Sequence, residues 1–358
     1  MARFISENEI EVVEAEGVTS HYTADRFLVC VGTKPFRPDY MPFDGERVLD
    51  SDEVLDIAHL PRSLVVIGAG VIGVEYATIF SALDVKVTLI EPRDSFLDFV
   101  DREVLQEFIH ELRDRGMSIR LNCSVERVEI KGKSVHLSLS DKRTVIADMV
   151  LFAAGRIGAT DSLNLKAVGL EVDHRGRMKV DPKTFQTDKE HIYAAGDIIG
   201  FPSLASTSLE QGRVAACHAF GAPVPKAPAY FPIGIYAVPE ISTSGMSEEE
   251  VRERDIGYEI GIARFRETSR GHIMGLDTGM MKLIFSLKTR RLLGVHILGE
   301  GATELIHIGQ AVLNLKGTIE YFVENTFNYP TLAEAYKIAA LDAWNRMPAL
   351  EVEEEASD

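Results

Sequence analysis

One glycine-rich segment carries the clearest chemical signal in the sequence. Gly68, Gly70 and Gly73 form a G-x-G-x-x-G pattern that follows the apolar stretch 63–67 and opens an apolar helical pattern. In a strand-turn-helix unit, the first glycine permits the tight turn, the second lets the backbone approach a pyrophosphate, and the third lets the helix pack on the sheet. The N–H groups at the start of the helix then bind negative charge. The segment predicts a dinucleotide site, and a glycine-rich turn in some other α/β unit is the alternative.

Charged residues near this segment could recognise the rest of a dinucleotide. Glu91 ends the next strand, 18 residues after Gly73, where a carboxylate can accept hydrogen bonds from the ribose diol of adenosine. Arg93 either meets the 2′-phosphate of NADP or is a solvated surface residue. Together the acid and the base suggest that both nucleotides are accepted. Glu75 is either a solvated helix residue or a group that faces the nicotinamide end of the cofactor.

The apolar pattern predicts the elements that must position these residues. Buried strands are expected at 63–67 and 85–90, and helices at 71–83 and 101–116. Strands that alternate with helices predict an α/β fold. A proline-rich linker at 223–232 indicates a domain boundary. The other predicted elements are short strands at 2–6, 9–15, 20–24 and 26–32, strands at 191–194, 260–265, 281–286 and 292–298, and helices at 203–220, 302–315 and 332–346.

Three more apolar strands end in glycine turns. They contain Gly32, in VCVGTKPFRP, Gly155, in LFAAGRIGATDSL, and Gly196, in HIYAAGDIIG. Asp197 follows the last of these turns and precedes a helix that begins near Ser203. One aspartate at a strand end is a weak signal by itself, and it gains weight from the other two turns.

Composition and length exclude several classes of protein. The 38 basic and 55 acidic residues give a formal net charge of −17 at pH 7, which argues against nucleic acid or an anionic membrane as the main partner. The longest apolar run, 64–74, is too short to cross a bilayer. The cysteines lack C-x-x-C or zinc spacing, so we expect no metal site and a reducing, cytoplasmic location. A length of 358 residues indicates two or three domains.

With TFNYPTLAEAYKIAALDAWNR, at 326–346, these segments resemble the flavoprotein disulfide reductase family over nearly the whole chain. The resemblance implies FAD held without a covalent bond, NAD(P) as the second nucleotide, and a homodimer or higher homo-oligomer. It also implies an α/β fold in which Rossmann-like FAD- and NAD(P)-binding domains are joined to a C-terminal α+β dimerisation domain. The implied domains are a partial FAD-binding domain at 1–55 and 156–225, an NAD(P)-binding domain at 56–155, a dimerisation domain at 226–348 and an acidic, disordered tail at 349–358.

Several long segments are similar to the transhydrogenase branch of this family, namely GAGVIGVEYA, GDIIGFPSLAS, ELIHIGQAV and TIEYFVENTFNYPTLAEAY. This similarity implies FAD-dependent hydride exchange with NADPH and NAD+ as substrates. It places Asp197 on the ribityl chain of FAD, with Gly32 and Gly196 at the same site, and Glu75 near the nicotinamide. Gly155 then marks the end of the NAD(P) domain.

The chain departs from the family at a position that matters for thiol chemistry. Disulfide-reducing relatives carry His-Pro-Thr and a glutamate, with the imidazole as proton carrier. Here Tyr329 precedes Pro330 and Thr331, and Glu334 is retained without an imidazole to orient. A phenol is a poor general base at neutral pH, so thiol–disulfide chemistry is not expected. A dihydrolipoamide dehydrogenase-like reductase and an inactive nucleotide-binding fragment remain as alternatives.

A second departure concerns the number of glycine fingerprints. The family begins with an FAD-binding unit that has its own G-x-G-x-x-G, whereas this sequence has one such motif, at 68–73, where the nicotinamide-nucleotide motif belongs. We therefore expect an N-terminal truncation of about a hundred residues, which would carry the FAD pyrophosphate site.

Overall fold

Residues 1–224 and 229–348 are described by the computed structural model, and they divide into two units. The first contains residues 1–39 and 154–224, and the second contains residues 40–153 and 229–348. The linker residues 225–228 and the predicted acidic tail at 349–358 lie outside the described residues. No helix in the described ranges is long and apolar enough to cross a membrane.

The strands are β1 (Ala2–Ser6), β2 (Glu9–Val13), β3 (Thr19–Thr23), β4 (Phe27–Val29), β5 (Thr33–Pro35), β6 (Val48–Asp50), β7 (Ser63–Ile67), β8 (Lys86–Ile90), β9 (Ser118–Arg120), β10 (Val125–Lys131), β11 (Ser134–Leu139), β12 (Thr144–Ala147), β13 (Met149–Phe152), β14 (Arg156–Gly158), β15 (Ile192–Ala194), β16 (Ile233–Ile235), β17 (Ile241–Gly245), β18 (Tyr258–Arg264), β19 (Met280–Ser286) and β20 (Leu292–Leu298). The α-helices are α1 (Val71–Ala82), α2 (Arg102–Asp114), α3 (Ala205–Ala219), α4 (Glu248–Glu253), α5 (Ser269–Met274), α6 (Ala302–Asn314), α7 (Ile319–Glu324) and α8 (Glu334–Trp344). Short 3-10 helices lie at Glu53–Asp56, Leu165–Val168, Asp197–Ile199 and Phe265–Glu267.

A parallel sheet forms the centre of the nucleotide-binding part of the second unit. Its strands lie in the order β6-β13-β7-β8-β9. β7 is almost entirely buried, as expected for a parallel strand with both faces covered. α1 connects β7 to β8, and α2 connects β8 to β9, which gives a Rossmann-like arrangement.

Residues 40–55 lie with this second unit rather than with the partial FAD-binding domain that the family resemblance implied for residues 1–55. β6 pairs with β13, with Leu49 opposite Leu151. A strand of three residues whose partner lies a hundred positions further along the chain leaves no local periodicity to read. The structure also groups residues 56–153 with 229–348 in one unit.

The start of α2 is fixed by a buried acid. Asp101 accepts hydrogen bonds from the N–H groups of Glu103 and Val104, at 3.1 and 3.4 Å, and therefore caps the helix. The same carboxylate accepts a bond of 3.0 Å from Nζ of the buried Lys282 on β19. Burial opposes protonation of Lys282, but hydrogen bonds to Glu248 and Asp101 hold its pKa above the ordinary lysine value. This network ties α2 to the second sheet of the unit.

That second sheet is antiparallel, with the order β16-β17-β20-β19-β18, and α6 and α8 pack against it. The approach of α8 to β18 is close, because a Cβ on Gly261 would lie 1.8 Å from the carbonyl oxygen of Ala339. The rings of Phe322 and Tyr336 stack at 5.3 Å in the core between α7 and α8. This is the α+β part that the resemblance implied.

The first unit contains smaller sheets. β1, β2 and β3 form an antiparallel sheet, β4 pairs with β15 in parallel, and β5 pairs with β14 in antiparallel orientation. α3 follows β15. Phe4, Val29, Ile192 and Ile198 belong to the core of this unit. The long elements predicted from the sequence are confirmed within a few residues at each end, whereas the short helices α4, α5 and α7 were missed.

Candidate dinucleotide site

The glycine turn at the end of β7 has the geometry that the motif predicts. Gly68 has a φ of +101°, a conformation that side chains rarely adopt. A Cβ on Gly73 would lie 1.9 Å from the carbonyl oxygen of Gly68, so the helix can pack this closely only with glycine there. In contrast, a Cβ on the exposed Gly70 would meet no atom of the described residues within 4 Å. The outer side of the turn is therefore open to a ligand.

α1 begins directly after this turn and has an uncapped N-terminus. Gly70 is the N-cap residue and has no side chain that could accept the first N–H groups of the helix. The first N–H groups of a helix lack partners within the helix and carry a partial positive charge. Together with the open side of the turn, they form a place for a pyrophosphate.

Glu91 is built into the turn. It lies at the end of β8 with an exposed fraction of 5%. One carboxylate oxygen accepts the N–H of Ala69 at 2.8 Å, and the other accepts Nε of Arg93 at 2.8 Å and its backbone N–H at 3.2 Å. Burial opposes ionisation of Glu91, but the bonds from Arg93 and Ala69 hold its pKa below the ordinary value. Glu91 therefore holds the turn as an ionised group.

Arg93 is a surface residue with two acidic partners. Besides its bond to Glu91, its Nη1 donates to Oδ2 of Asp98 at 3.0 Å. Its hydrogen bond to Glu91 raises the pKa of the guanidinium. The sequence analysis missed Asp98, which has no motif around it. Glu91 binds both Arg93 and the N–H of Ala69, so the guanidinium lies next to the glycine turn. A guanidinium in this position can bind a phosphate group of a ligand.

Glu75 lies on α1 and is half-buried. The interpretation of Glu75 as a freely solvated helix residue, one of the two that the sequence allowed, is therefore not supported. Oε1 of Glu75 accepts the N–H of Tyr236 at 2.8 Å. One turn later, Thr78 Oγ1 accepts the N–H of Val238 at 3.0 Å. Burial raises the pKa of Glu75. Sequence reasoning missed Tyr236, which lies 161 positions away from Glu75.

The residues assigned to FAD lie in the first unit, at the ends of two adjacent parallel strands. Gly32 follows β4, and Gly196 and Asp197 follow β15. Thr33 Oγ1 donates to Oδ2 of the half-exposed Asp197 at 3.5 Å, and the N–H of Gly196 donates to Gln211 on α3 at 2.8 Å. Carboxyl ends of neighbouring parallel strands are where α/β sheets bind ligands.

Gly155 lies in the first unit as well, three residues after the end of β13. It has a φ of +131°, and its carbonyl oxygen accepts the N–H of Phe36 at 3.1 Å. The structure therefore brings Gly68, Gly70, Gly73, Glu75, Glu91 and Arg93 into one unit, and Gly32, Gly155, Gly196 and Asp197 into the other.

Tyr329 and Glu334 share a partner that the sequence did not indicate. The phenol of Tyr329, which is 74% exposed, is hydrogen-bonded to the hydroxyl of Ser269. Glu334 Oε1 accepts the N–H of the same serine at 2.7 Å. The carboxylate that would orient an imidazole in a disulfide reductase therefore holds the start of α5.

Neither a metal site nor a redox pair is found in the part of the chain that the structure describes. No group of three or more His, Cys, Asp or Glu side chains there is arranged to hold a metal ion. Cys30, Cys123 and Cys217 are free thiols. Cys123 is buried, whereas Cys30 is exposed.

Comparisons with known proteins agree with this geometry. Residues 2–212 match the pyridine nucleotide-disulphide oxidoreductase family, and residues 231–340 match its dimerisation domain. The soluble pyridine nucleotide transhydrogenase of Mycobacterium tuberculosis (strain ATCC 25177 / H37Ra) is 49% identical over 349 residues, which are 97% of this chain and 74% of that protein. That of Aliivibrio fischeri is 45% identical over 350 residues, with shares of 97% and 74%.

Solved structures show the same fold. The HOCl-induced flavoprotein disulfide reductase RclA from Escherichia coli is 27% identical, with a TM-score of 0.88 over 95% of this chain and 78% of that chain. LpdA from Mycobacterium tuberculosis is 26% identical, with a TM-score of 0.87 over 95% of this chain and 75% of that chain. The predicted α/β fold class with a dimerisation domain is thereby confirmed. The protein belongs to the pyridine nucleotide-disulphide oxidoreductase family.

Proposed function

We propose that this protein is an FAD-dependent transhydrogenase that transfers hydride between NADPH and NAD+. The observation that carries the proposal is the pair of Glu91 and Arg93 beside one glycine turn. A carboxylate suits the ribose diol of NAD(H), and a guanidinium suits the 2′-phosphate of NADP(H). One site with both groups can take the two nucleotides in turn. Two bacterial relatives that match 97% of the chain are named soluble pyridine nucleotide transhydrogenases, and these names support the same hydride transfer.

The first unit offers residues that fit FAD. Asp197 has a half-exposed carboxylate whose contact with Thr33 is long, so the hydroxyl groups of a ribityl chain can bind it. α3 begins at Ala205 after Leu204, whose side chain cannot cap the helix, and the partial positive charge of this terminus favours an electron-rich ring. When bound, FAD supplies the centre that takes hydride from one nucleotide and returns it to the other.

The residues of the chain then have binding and orienting roles. The turn at Gly70 and the N–H groups of α1 hold the pyrophosphate, Glu91 orients the ribose, and Glu75 lies at the nicotinamide end of the nucleotide. The net reaction, NADPH + NAD+ → NADP+ + NADH, releases and consumes no proton. It therefore needs no imidazole where Tyr329 stands, in contrast to thiol–disulfide exchange.

A coupled assay of the purified chain tests this proposal. With FAD and NADPH present, we expect thio-NAD+ to be reduced, and we expect no turnover when either nucleotide or FAD is left out. Tyr329→Phe serves as the matched control and should keep at least half of the wild-type rate, since the phenol takes no part in hydride transfer. Reduction of lipoamide at a matching rate would identify a disulfide reductase instead. Nucleotide binding without flavin and without turnover would identify a non-catalytic binding protein.

The active assembly is proposed to be a homodimer built through the C-terminal part of the second unit. The match of residues 231–340 to the family's dimerisation domain supports this assignment. Leu315, which is 82% exposed, and the exposed Tyr321 line one apolar groove between α6 and α7, and a contiguous apolar patch of this kind is typical of a surface that another chain covers. Leu315→Glu should lower the molar mass measured by light scattering from twice 39.6 kDa to 39.6 kDa. A cytoplasmic location stays a prediction.

A further inference from the structure

The guanidinium of Arg93 is shared by two carboxylates that differ in freedom. Glu91 is almost fully buried and also binds the N–H of Ala69, so it cannot move without releasing the glycine turn. The side chain of Asp98 is 62% exposed, and its Oδ2 accepts Nη1 of Arg93 at 3.0 Å. An exposed ion pair of this kind is weak and exchanges readily. Of the two carboxylates, Asp98 is the one that an incoming anion can replace.

We propose that Asp98 competes with the 2′-phosphate of NADP(H) for Arg93 and thereby sets the balance between the two nucleotides. NADP(H) must displace Asp98 before its phosphate can pair with the guanidinium. NAD(H) has no such phosphate and leaves the Arg93–Asp98 pair intact. This inference rests on the proposed function, because it assigns both nucleotides to the glycine turn.

The charges at this position indicate that Asp98 opposes the binding of the 2′-phosphate rather than assisting it. Glu91, Arg93 and Asp98 together carry a formal charge of −1 when all are ionised. A 2′-phosphate is itself strongly negative, so it is repelled until Asp98 turns away. A neutral ribose diol is not repelled. Asp98 therefore weakens the binding of NADP(H) specifically.

The backbone around Asp98 restricts the exchange to its side chain. The preceding residues Phe96 and Leu97 are buried in the core of the second unit. Leu97 has a φ of +52°, a conformation that is unfavourable for leucine and persists only where packing fixes it. Its carbonyl oxygen accepts the N–H of Val100 at 2.8 Å, and the buried Asp101 then caps α2. The carboxylate of Asp98 can rotate away while the loop stays in place.

Such a competitor fits an enzyme that must release both nucleotides from one pocket. An Arg93 paired with Glu91 alone would hold NADP+ more tightly than NAD+ and would slow the exchange of one nucleotide for the other. Pairing with Asp98 in the free protein lowers the affinity for NADP(H) towards that for NAD(H). The residue is therefore a specificity-determining residue that does not touch the reacting atoms.

Nucleotide binding to the whole chain tests the inference without hydride transfer. Dissociation constants of NADP+ and NAD+ are measured by calorimetry for the wild type and for Asp98→Asn, which keeps the side-chain shape and removes its charge. We expect the variant to bind NADP+ about three- to tenfold more tightly and to bind NAD+ within about twofold of the wild type. In an Arg93→Met background, the same substitution should gain less than about twofold for NADP+, because the competed group is gone.

The matched control is Asp94→Asn, which removes an equal charge from an exposed position on the same loop. An equal gain from Asp94→Asn, an equal gain for NAD+, or no gain for NADP+ in Asp98→Asn would each overturn the inference. Asp98→Ser, with thermal unfolding compared with the wild type, separates a folding defect from a change in affinity. A wild type that binds neither nucleotide would refute the pocket as well as the inference. A wild type that binds both but transfers no hydride would contradict the proposed function alone.

Discussion

The glycine turn that follows β7 and the one that follows β15 are built differently. The turn after β7 follows an almost entirely buried strand of the five-stranded parallel sheet, and its acid, Glu91, has protein partners on both carboxylate oxygens. The turn after β15 lies at the end of the β4–β15 pair, and its acid, Asp197, makes a 3.5 Å contact with Thr33. Glu91 therefore mainly stabilises its own turn and has little hydrogen-bonding capacity left for a ligand. The other acid leaves most of its hydrogen-bonding capacity for a ligand.

This difference teaches how two nucleotide-derived groups can be bound by similar strand-turn-helix units. A nucleotide that must enter and leave during each cycle benefits from a turn that is already in its final shape. A cofactor that stays bound can itself complete the hydrogen bonds of its site. Stability and ligand affinity should therefore respond together when the acid of the first turn is replaced, and separately when the acid of the second turn is replaced.

The largest effect is expected at Gly73. Gly73→Ala places a Cβ 1.9 Å from the carbonyl oxygen of Gly68, so we expect a loss of at least about 2 kcal/mol of unfolding free energy, with loss of NAD+ binding. Gly70→Ala is the control, because its Cβ meets nothing within 4 Å among the described residues. It should lose NAD+ affinity while its stability stays within about 1 kcal/mol of the wild type. Urea unfolding and calorimetry measure the two quantities, and an equally unstable Gly70→Ala would show that the turn is not open on its outer side.

The next effect compares the two acids directly. Glu91→Ala leaves the buried N–H of Ala69 without its acceptor, so we expect a loss of about 1–3 kcal/mol in unfolding free energy. Asp197→Ala should change that free energy by less than about 0.5 kcal/mol but should weaken FAD binding at least about tenfold. Urea unfolding and quenching of flavin fluorescence measure these outcomes. A marked loss of stability in Asp197→Ala would mean that the second turn is as dependent on its acid as the first.

A third, smaller effect is the pH dependence of stability. The pKa of Glu91 is below its ordinary value in the folded protein, so the stability that it contributes is present above about pH 4.3 and is lost as the pH falls through the folded pKa. Burial raises the pKa of Glu75, so its contribution is present at low pH and is lost as the pH rises from about 4.3 through the folded value.

Unfolding free energies between pH 3 and pH 7 separate these two contributions. The unfolding free energy of the wild type minus that of Glu91→Gln should fall towards zero as the pH falls, because a protonated Glu91 resembles glutamine. The wild type should match Glu75→Gln at low pH, and the unfolding free energy of the wild type minus that of Glu75→Gln should fall as the pH rises. The same direction for both variants would contradict the assignment of Glu91 as an ionised, hydrogen-bonded part of the turn. It would also remove the distinction between a buried acid with a charged partner and one without.

The sequence could predict the first turn because all of its requirements are local. The strand 63–67, the three glycines and Glu91 lie within about thirty positions, which is the size of one strand-turn-helix unit. In contrast, Asp98 acquires its role through a side-chain contact, and Ser269 contacts Tyr329 and Glu334, which lie 60 and 65 positions further along the chain. Contacts such as Glu75 with Tyr236 span 161 positions and have no periodicity to reveal them.

The smallest effect is expected at Thr33, and it tests the comparison most closely. Thr33→Val removes the hydroxyl that contacts Asp197 at 3.5 Å and that accepts Nε of Arg156 at 2.9 Å, while Nη2 of Arg156 still donates to the Thr33 carbonyl oxygen at 2.8 Å. A contact of that length is weak. We therefore expect FAD affinity to fall by no more than about twofold. Loss of the 2.9 Å bond from Arg156 should lower the unfolding free energy by no more than about 1 kcal/mol, since Arg156 keeps its bond to the Thr33 carbonyl oxygen.

Thr33→Ser provides the control, because it restores the hydroxyl and should match the wild type in flavin fluorescence titrations. A tenfold or greater loss of FAD affinity in Thr33→Val alone would mean that Thr33 holds Asp197 as firmly as Ala69 and Arg93 hold Glu91. Both turns would then be complete before their ligands arrive. The difference between an exchanging nucleotide and a resident cofactor would have to be sought outside the hydrogen bonds of the two acids.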